Sequence, residues 1–332
     1  MKVNDSYSSE EAVESGVPQG SILGPLLFIV YIADLPEFCK TEGVELKLFA
    51  DDLKAYYIGP VNPDFHIPLQ NCITKLIKYC STNGLEIAIN KCSTLHIGSK
   101  NPNYTYFLNQ TSIPNIPKGE SVRDLGVYFS NDLKWKNHIE NIVTKARRVA
   151  FTLLRSLKSN NPQFLVNTFK TYVVPTLEFA CPVFNPYYAI EINAIEKVQK
   201  EFIKRVYFRC QKNKDQIDYD NIPSYAELLA TYGLETLEIR RLKCCLNLFH
   251  QHLHGLLPIK TKSFSIMPTT TRGEKHRFLI QPATNAVRFN SFFIRYARIH
   301  EQLDVKLRNA SPIEFSNMLN SIDMSKYLNQ TL

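Results

Sequence analysis

Residues 44–48 (VELKL) alternate polar and apolar with period 2, and residues 53–58 (LKAYYI) are rich in aromatic and β-type side chains. Phe49-Ala50-Asp51-Asp52 lies between the two runs. This pattern predicts an antiparallel β-hairpin with two aspartates at its tip. Successive residues on a strand point to opposite faces, so only one of Asp51 and Asp52 readily faces a given site unless the turn re-aims the other. The hairpin therefore fixes β structure in the front of the chain before any other element is considered.

Other segments fill in an α+β order. Residues 15–36 (SGVPQGSILGPLLFIVYIADLP) read as a Gly/Pro-marked loop running into a very apolar helix, and a helix apolar on nearly every side is usually packed inside a domain. Residues 72–79 predict a short amphipathic helix, residues 85–89 and 93–97 two strands, and residues 122–129 a further strand broken by Gly126. Beyond about residue 133 the period changes. Ile139, Ile142, Val143, Ala146, Val149, Leu153 and Leu157 form an i, i+3, i+4 stripe. Asn161-Pro162 marks a helix start, with proline at the tolerated first position. Helices are expected near 162–173, 190–208 and 235–254, and the stretch 258–290 reads as loop with short pieces of structure. The order is mixed α/β first, helical second.

Charge follows the same division. Residues 1–100 hold 8 basic and 12 acidic side chains, whereas residues 101–332 hold 31 basic and 19 acidic. A basic back part suggests a phosphate-rich partner. The polar N-terminus lacks the apolar core of a secretory signal. The most apolar stretch, residues 22–33, is well short of the roughly 20 residues that cross a bilayer. Eight scattered cysteines without a C-x-x-C pair read as intracellular thiols, so the expected protein is soluble and intracellular, nucleus or cytoplasm undetermined, with no membrane association.

Two constellations could carry chemistry. Mg²⁺ is typically held by one or two carboxylates plus substrate phosphates, and a pair of such ions clamps the attacking and leaving oxygens of phosphoryl transfer. An aspartate pair on a hairpin tip suits that role, yet aspartate is also ordinary turn chemistry, so the pair alone leaves both readings open. The second constellation is Cys244, Cys245, His250, His252 and His254 in CCLNLFHQHLH, with His250 and His254 one helical turn apart. Zinc could use such a set, but buried cysteines and surface histidines are the expected reading.

The residues around the aspartates decide the first case. SGVPQGSILGPLLF followed by LFADDLKAYY resembles the fourth and fifth conserved blocks of reverse transcriptases from non-LTR retrotransposons. The likeness continues in NGLEIAINKCSTLHIG and VRDLGVYFSNDLKWKNHI. YVVPTLEFACPVFNP, IEKVQKEFIKR and YAELLATYGLETLEIRR look like the helical thumb and post-thumb of CR1/Jockey-like elements. Blocks in this order run from about residue 13 to the low 320s. The resemblance implies an incomplete right-hand polymerase palm over 1–132, a helical thumb and post-thumb over 133–257, and a C-terminal extension over 258–332.

It also implies roles, residue by residue. Asp51 matches the metal-binding aspartate of the family's F-A-D-D block, and Asp52 its less critical neighbour. Gly16, Pro18, Gln19 and Gly20 match the loop lying against incoming nucleotide and template. Lys91 falls where the family's next block carries a lysine that assists pyrophosphate departure, with a solvated lysine beside a strand as the plain alternative. Leu125, Gly126 and Val127 match the segment supporting the primer end. Lys145, Arg148, Arg155, Lys200, Lys204 and Arg205 could track a duplex backbone, a sequence-independent and salt-sensitive contact. The sole tryptophan, Trp135, matches the family's L-x-W and is expected in the core.

The implied partners are an RNA template, a DNA primer duplex and a dNTP, with Mg²⁺ or Mn²⁺ as cofactor of the complete enzyme; no specific protein partner is implied. The family's first catalytic aspartate lies upstream of the Gly-Pro-Gln loop. Asp5 is the only aspartate ahead of Gly16, and its setting lacks the apolar flanks of that block. Half a metal site leads to the expectation that this chain alone neither polymerises nor binds the ion tightly. A nucleic-acid-binding remnant without catalysis is the alternative.

Overall fold

The computed structural model describes residues 2–3, 6–7, 9, 16, 20–211, 222–267 and 277–328. Two compact units divide the chain, Met1–Lys118 and Gly119–Leu332.

In the first unit, β1 (Lys2–Val3) pairs with β2 (Ser6–Tyr7), and α1 (Gly24–Tyr31) and α2 (Leu35–Phe38) lead into a hairpin. β3 (Val44–Phe49) pairs antiparallel with β4 (Asp52–Tyr57), Phe49 opposite Asp52 and Val44 opposite Tyr57. α3 (Ile67–Thr82) follows, then a 3-10 turn (Ile89–Lys91) and a small hairpin of β5 (Phe107–Leu108) and β6 (Thr111–Ser112).

α3 organises this unit through two neighbouring stripes. Cys72, Leu76 and Tyr79 meet Leu35, Cys39 and the inward residues Val44, Leu46, Leu48, Leu53 and Ala55 of the β3–β4 hairpin. Shifted by about one residue, Leu69, Ile73 and Ile77 meet Tyr106, Leu108 and Ile113. Both follow the i, i+4 geometry that places side chains on one helix face. Burial pushes the Cys39 thiol up to about 11, so it stays a neutral apolar filler.

Three expectations need correcting here. The apolar helix does not go inside this unit. Leu26, Leu27, Ile29 and Val30 of α1 are all at least half exposed; Gly24 is the helix's one buried residue, and the apolar side chains that are buried, Ile32 and Leu35, lie just beyond it. Residues 85–89 and 93–97 are not strands: the chain there is irregular apart from the 3-10 turn and one isolated bridge between Thr94 and Asn115. Leu85 and Ile87 still pack inward, so their alternation reports side-chain burial without a strand ladder. Finally, residues 121–130 are not one broken strand but two paired ones, and they group with the second unit.

That second unit starts with β7 (Ser121–Asp124) and β8 (Val127–Ser130) and becomes helical. α4 (Lys136–Ser156) leads to α5 (Pro162–Tyr172), α6 (Val174–Glu178), α7 (Cys181–Phe184), α8 (Ala189–Cys210), α9 (Tyr225–Tyr232) and α10 (Leu237–Leu253). An antiparallel pair, β9 (Phe264–Met267) and β10 (Arg277–Ile280), precedes α11 (Ala286–Phe289), α12 (Phe292–Glu301), α13 (Val305–Asn309) and α14 (Pro312–Ser321).

Local chemistry sets the helix starts. The Asn161 side chain accepts from the Phe164 N–H, and Ser224 with Glu227 and Ser311 with Glu314 form capping boxes. The stripe expected on α4 is inward, with Ile139, Val143, Ala146, Ala150 and Leu154 buried. One continuous apolar core runs from Ile139 to Tyr327 and includes both the helices before residue 257 and the segments after it. α10 is its axis, touching α7, α8, α12 and α14.

His250 corrects a further expectation. It is fully buried, with its ring flat against Phe315, its Nδ1 facing His300 Nε2 at 3.1 Å and its Nε2 facing the Ala310 carbonyl at 3.0 Å. It is therefore not a surface histidine. No group of three or more possible metal donors gathers there or elsewhere among the described residues.

Candidate functional site

The β3–β4 hairpin turns through Ala50 and Asp51. Ala50 takes a left-handed φ of 52°, the tight reversal that lets Phe49 pair with Asp52 across a two-residue loop. Asp51 is thus in the turn, while Asp52 opens β4, and both carboxylates are exposed. Among the described residues neither forms a salt bridge or side-chain hydrogen bond that would compete for its oxygens. The inward residues Leu48 and Leu53, seated on α3, hold the tip in place from below. Gly16 and Gly20 are exposed with φ of 92° and 82°, and both have open space where a Cβ would stand. Pro18 and Gln19 lie outside the described residues. Lys91 is exposed at the end of its 3-10 turn.

In the second unit, Leu125 and Gly126 link β7 and β8 with Asp124 opposite Val127. Both turn residues have positive φ, 44° and 89°, the backbone of a type I′ turn. Gly126 is required twice over: the φ is costly for other residues, and a Cβ there would come within 2.9 Å of the Phe179 ring. Leu125 is the unusual choice, since that position favours Asn, Asp or Gly. It stands 43% exposed at the tip while Val127 is buried beneath it. His138 supports the hairpin from α4. Its Nδ1 accepts from the Tyr128 N–H at 3.4 Å, its ring meets Phe184 edge-on, and burial pushes its pKa down to about 4.

Lys145, Arg148 and Arg155 lie on α4 opposite the buried stripe, and all are exposed. Lys200, Lys204 and Arg205 are exposed on α8, the helix packed against α4. Lys200 sits over the Tyr225 ring and Lys204 over Phe208, each at 5.9 Å. Arg209, further along α8, turns inward and donates to the carbonyls of Leu154 and Leu157, capping the end of α4.

Residues 1–142 match the family described as reverse transcriptase (RNA-dependent DNA polymerase). Over 223 residues, 64% of this chain, it is 25% identical to a probable RNA-directed DNA polymerase from transposon X-element of Drosophila melanogaster. Over 214 residues, 60% of the chain, it is 24% identical to the RNA-directed DNA polymerase from mobile element jockey of Drosophila funebris. Over its first 142 residues the chain is similar to reverse transcriptases, and the relatives it matches most widely are polymerases of transposable elements. An uncharacterized protein of Caenorhabditis elegans is 27% identical over 143 residues, which cover 43% of this chain and 68% of that one. The chain spans about a quarter of the length of the two transposon polymerases, 24% and 22%. No solved structure matches it.

Within the segment that matches the reverse transcriptase family, the aspartate pair offers hard, exposed oxygens of the kind that suit Mg²⁺ or Mn²⁺. They make part of a shell: two adjacent carboxylates leave most of an octahedron to water and substrate phosphate. Trp135 is half-buried and flanks the core at the start of α4. Residues that the motif reading passed over lie on the helices. Arg147 and Phe151 of α4 and Glu201 of α8 line one cleft together with Arg205, which the sequence already places among the candidate cations; the cleft is legible in sequence only as two i, i+4 pairs. Among the described residues no helix is long and apolar enough to cross a membrane.

Proposed function

We propose that this chain is the later part of an RNA-directed DNA polymerase: palm over 1–132, thumb and post-thumb over 133–257, and a C-terminal extension over 258–332. The observation that carries the reading is Asp51, exposed at the turn of a hairpin within the segment that matches the reverse transcriptase family. The reaction is attack of a primer 3′-OH on the α-phosphate of a dNTP, releasing pyrophosphate. A divalent cation, when bound, supplies charge neutralisation at the phosphoryl oxygens.

The chain's own residues bind and position. Asp51 holds the ion from one side and Asp52 lies beside it. The Gly16, Pro18, Gln19 and Gly20 loop lies against incoming nucleotide and template, and the left-handed backbone at Gly16 and Gly20 favours that close approach. Lys91 assists the departing pyrophosphate. Leu125, Gly126 and Val127 support the primer end. The exposed cations of α4 and α8 grip the duplex backbone by charge.

Two neighbouring carboxylates fill only part of a metal shell, so the reading includes that the chain extends a primer only when joined to a segment bearing a further aspartate. The test uses primed RNA template, dNTPs and Mg²⁺ or Mn²⁺, with the chain alone and fused to the corresponding upstream segment of a related polymerase. Extension by the fusion, lost in Asp51→Ala by about 100-fold or more, is the expected result. Equal extension by fusion and Asp51→Ala variant refutes the assignment of Asp51. A second reading, nucleic-acid binding without catalysis, is favoured by the six exposed cations on two packed helices. Binding that falls steeply with salt, ignores sequence and is never accompanied by synthesis in the fusion would select it.

A further inference from the structure

Between α4 and α8 lies a cleft of about 220 Å³ whose form differs from the flat cationic faces beside it. Its floor is apolar and closed, with Leu154 and Phe202 nearly inaccessible. Phe151 rises from α4 on one rim and is 55% exposed, a large aromatic surface left in water at a position facing buried apolar side chains. Arg147, one turn before it, and Arg205 on the opposite helix add two guanidiniums. Glu201 stands among them, 3.7 Å from Arg147 and 3.8 Å from Lys197, too far for close hydrogen-bonded pairs. Arg205 has no ion-pair partner among the described residues.

We propose that this cleft binds one unpaired nucleotide of a single-stranded nucleic acid, its base stacked on Phe151 and its phosphate paired by Arg147 and Arg205. The size fits, because an apolar cavity of about 150 Å³ accommodates benzene and a nucleobase is only modestly larger. The chemistry fits too: aromatic side chains bordered by cations are how proteins hold single strands without reading sequence. A duplex keeps its bases stacked inside and cannot offer a ring to Phe151, so the cleft distinguishes a single strand from the duplex that the neighbouring lysines and arginines would track. Lys145, Arg148, Lys200 and Lys204 on either side supply the long-range attraction. Glu201 restrains the site, since its carboxylate competes with a phosphate for Arg147 and Lys197.

This proposal deepens the nucleic-acid reading above and rests on it. The test is fluorescence anisotropy of the full chain with short labelled single strands, RNA and DNA in separate arms, and with a blunt duplex. Phe151→Ala is expected to weaken single-strand binding about 5- to 150-fold in both arms while leaving duplex binding within twofold. Glu201→Gln is expected to tighten single-strand binding. Phe151→Trp should bind as well as the parent, and its indole should be quenched by the single strand and not by the duplex. Parental single-strand affinity in Phe151→Ala, or an equal loss for strand and duplex, overturns the proposal. Absent quenching in Phe151→Trp does so independently of any change in stability. If the parent chain binds neither strand nor duplex, the nucleic-acid reading itself falls.

Discussion

Phe249→Ala tests whether the helices before residue 257 and the segments after it stand or fall together. Phe249 is fully buried on α10. Its ring lies 5.6 Å from Phe264, 5.7 Å from Phe278, 6.4 Å from Phe292 and 5.5 Å from His300, all of which follow residue 257. Truncation removes the apolar ring and leaves a void that these neighbours, each held by its own element, cannot fill. Such a change costs about 3–5 kcal/mol. For a domain of this size each kcal/mol moves the melting temperature by about 2–4 °C, so a fall of about 10 °C is expected. Trp135, the sole tryptophan, flanks the same core at the start of α4 and reports on it by fluorescence. Urea and thermal melts should show one transition, displaced as a whole. A loss below about 1 kcal/mol at Trp135, with a separate early transition in circular dichroism, would mean that the extension melts alone and that the shared core is not cooperative.

Two further outcomes follow from the hairpin of the second unit. Leu125→Asn replaces a residue strained at φ 44° by one that tolerates the left-handed region, and should stabilise the unit by about 0.5–1 kcal/mol in a urea melt; a clear loss of stability would show that the exposed leucine is held by packing. His138 should make the unit acid-labile. Its folded pKa of about 4 lies below the unfolded value near 6.5, so the unfolded chain takes up the proton first. Stability is then full above about pH 6.5 and falls toward pH 4 by up to about 1.4 kcal/mol per unit, and the parent should lose more than His138→Asn over that window. Parallel pH profiles for the two proteins would rule this out.

Much of the candidate site was legible because its signals are local. The aspartate hairpin needs only a period-2 run, a reversal and a second run, and all three are contiguous between Val44 and Tyr57. The α4 stripe and the Asn161 cap are likewise properties of a few consecutive residues. What the pattern leaves open is the partner. Residues 85–97 alternate as a strand would, but a strand exists only where a neighbour accepts its hydrogen bonds, and here the single bridge of Thr94 to Asn115 is all that forms. The α1 sequence is apolar enough for any core, yet within its unit few side chains reach it.

His250 and Arg209 make the same point from the polar side. Sequence spacing places both on helices, where a polar or charged side chain is ordinarily a surface group. Tertiary structure buries the first against Phe315 and His300, and spends the charge of the second on the end of α4. The cleft beside Phe151 also exists only because α4 and α8 lie together, which neither helix encodes alone. Periodicity says which face of an element turns inward, since the hydrophobic effect is non-directional and acts on every apolar residue alike. Which atoms meet across that face depends on packing between segments distant in the chain, and that is settled only when the whole core closes.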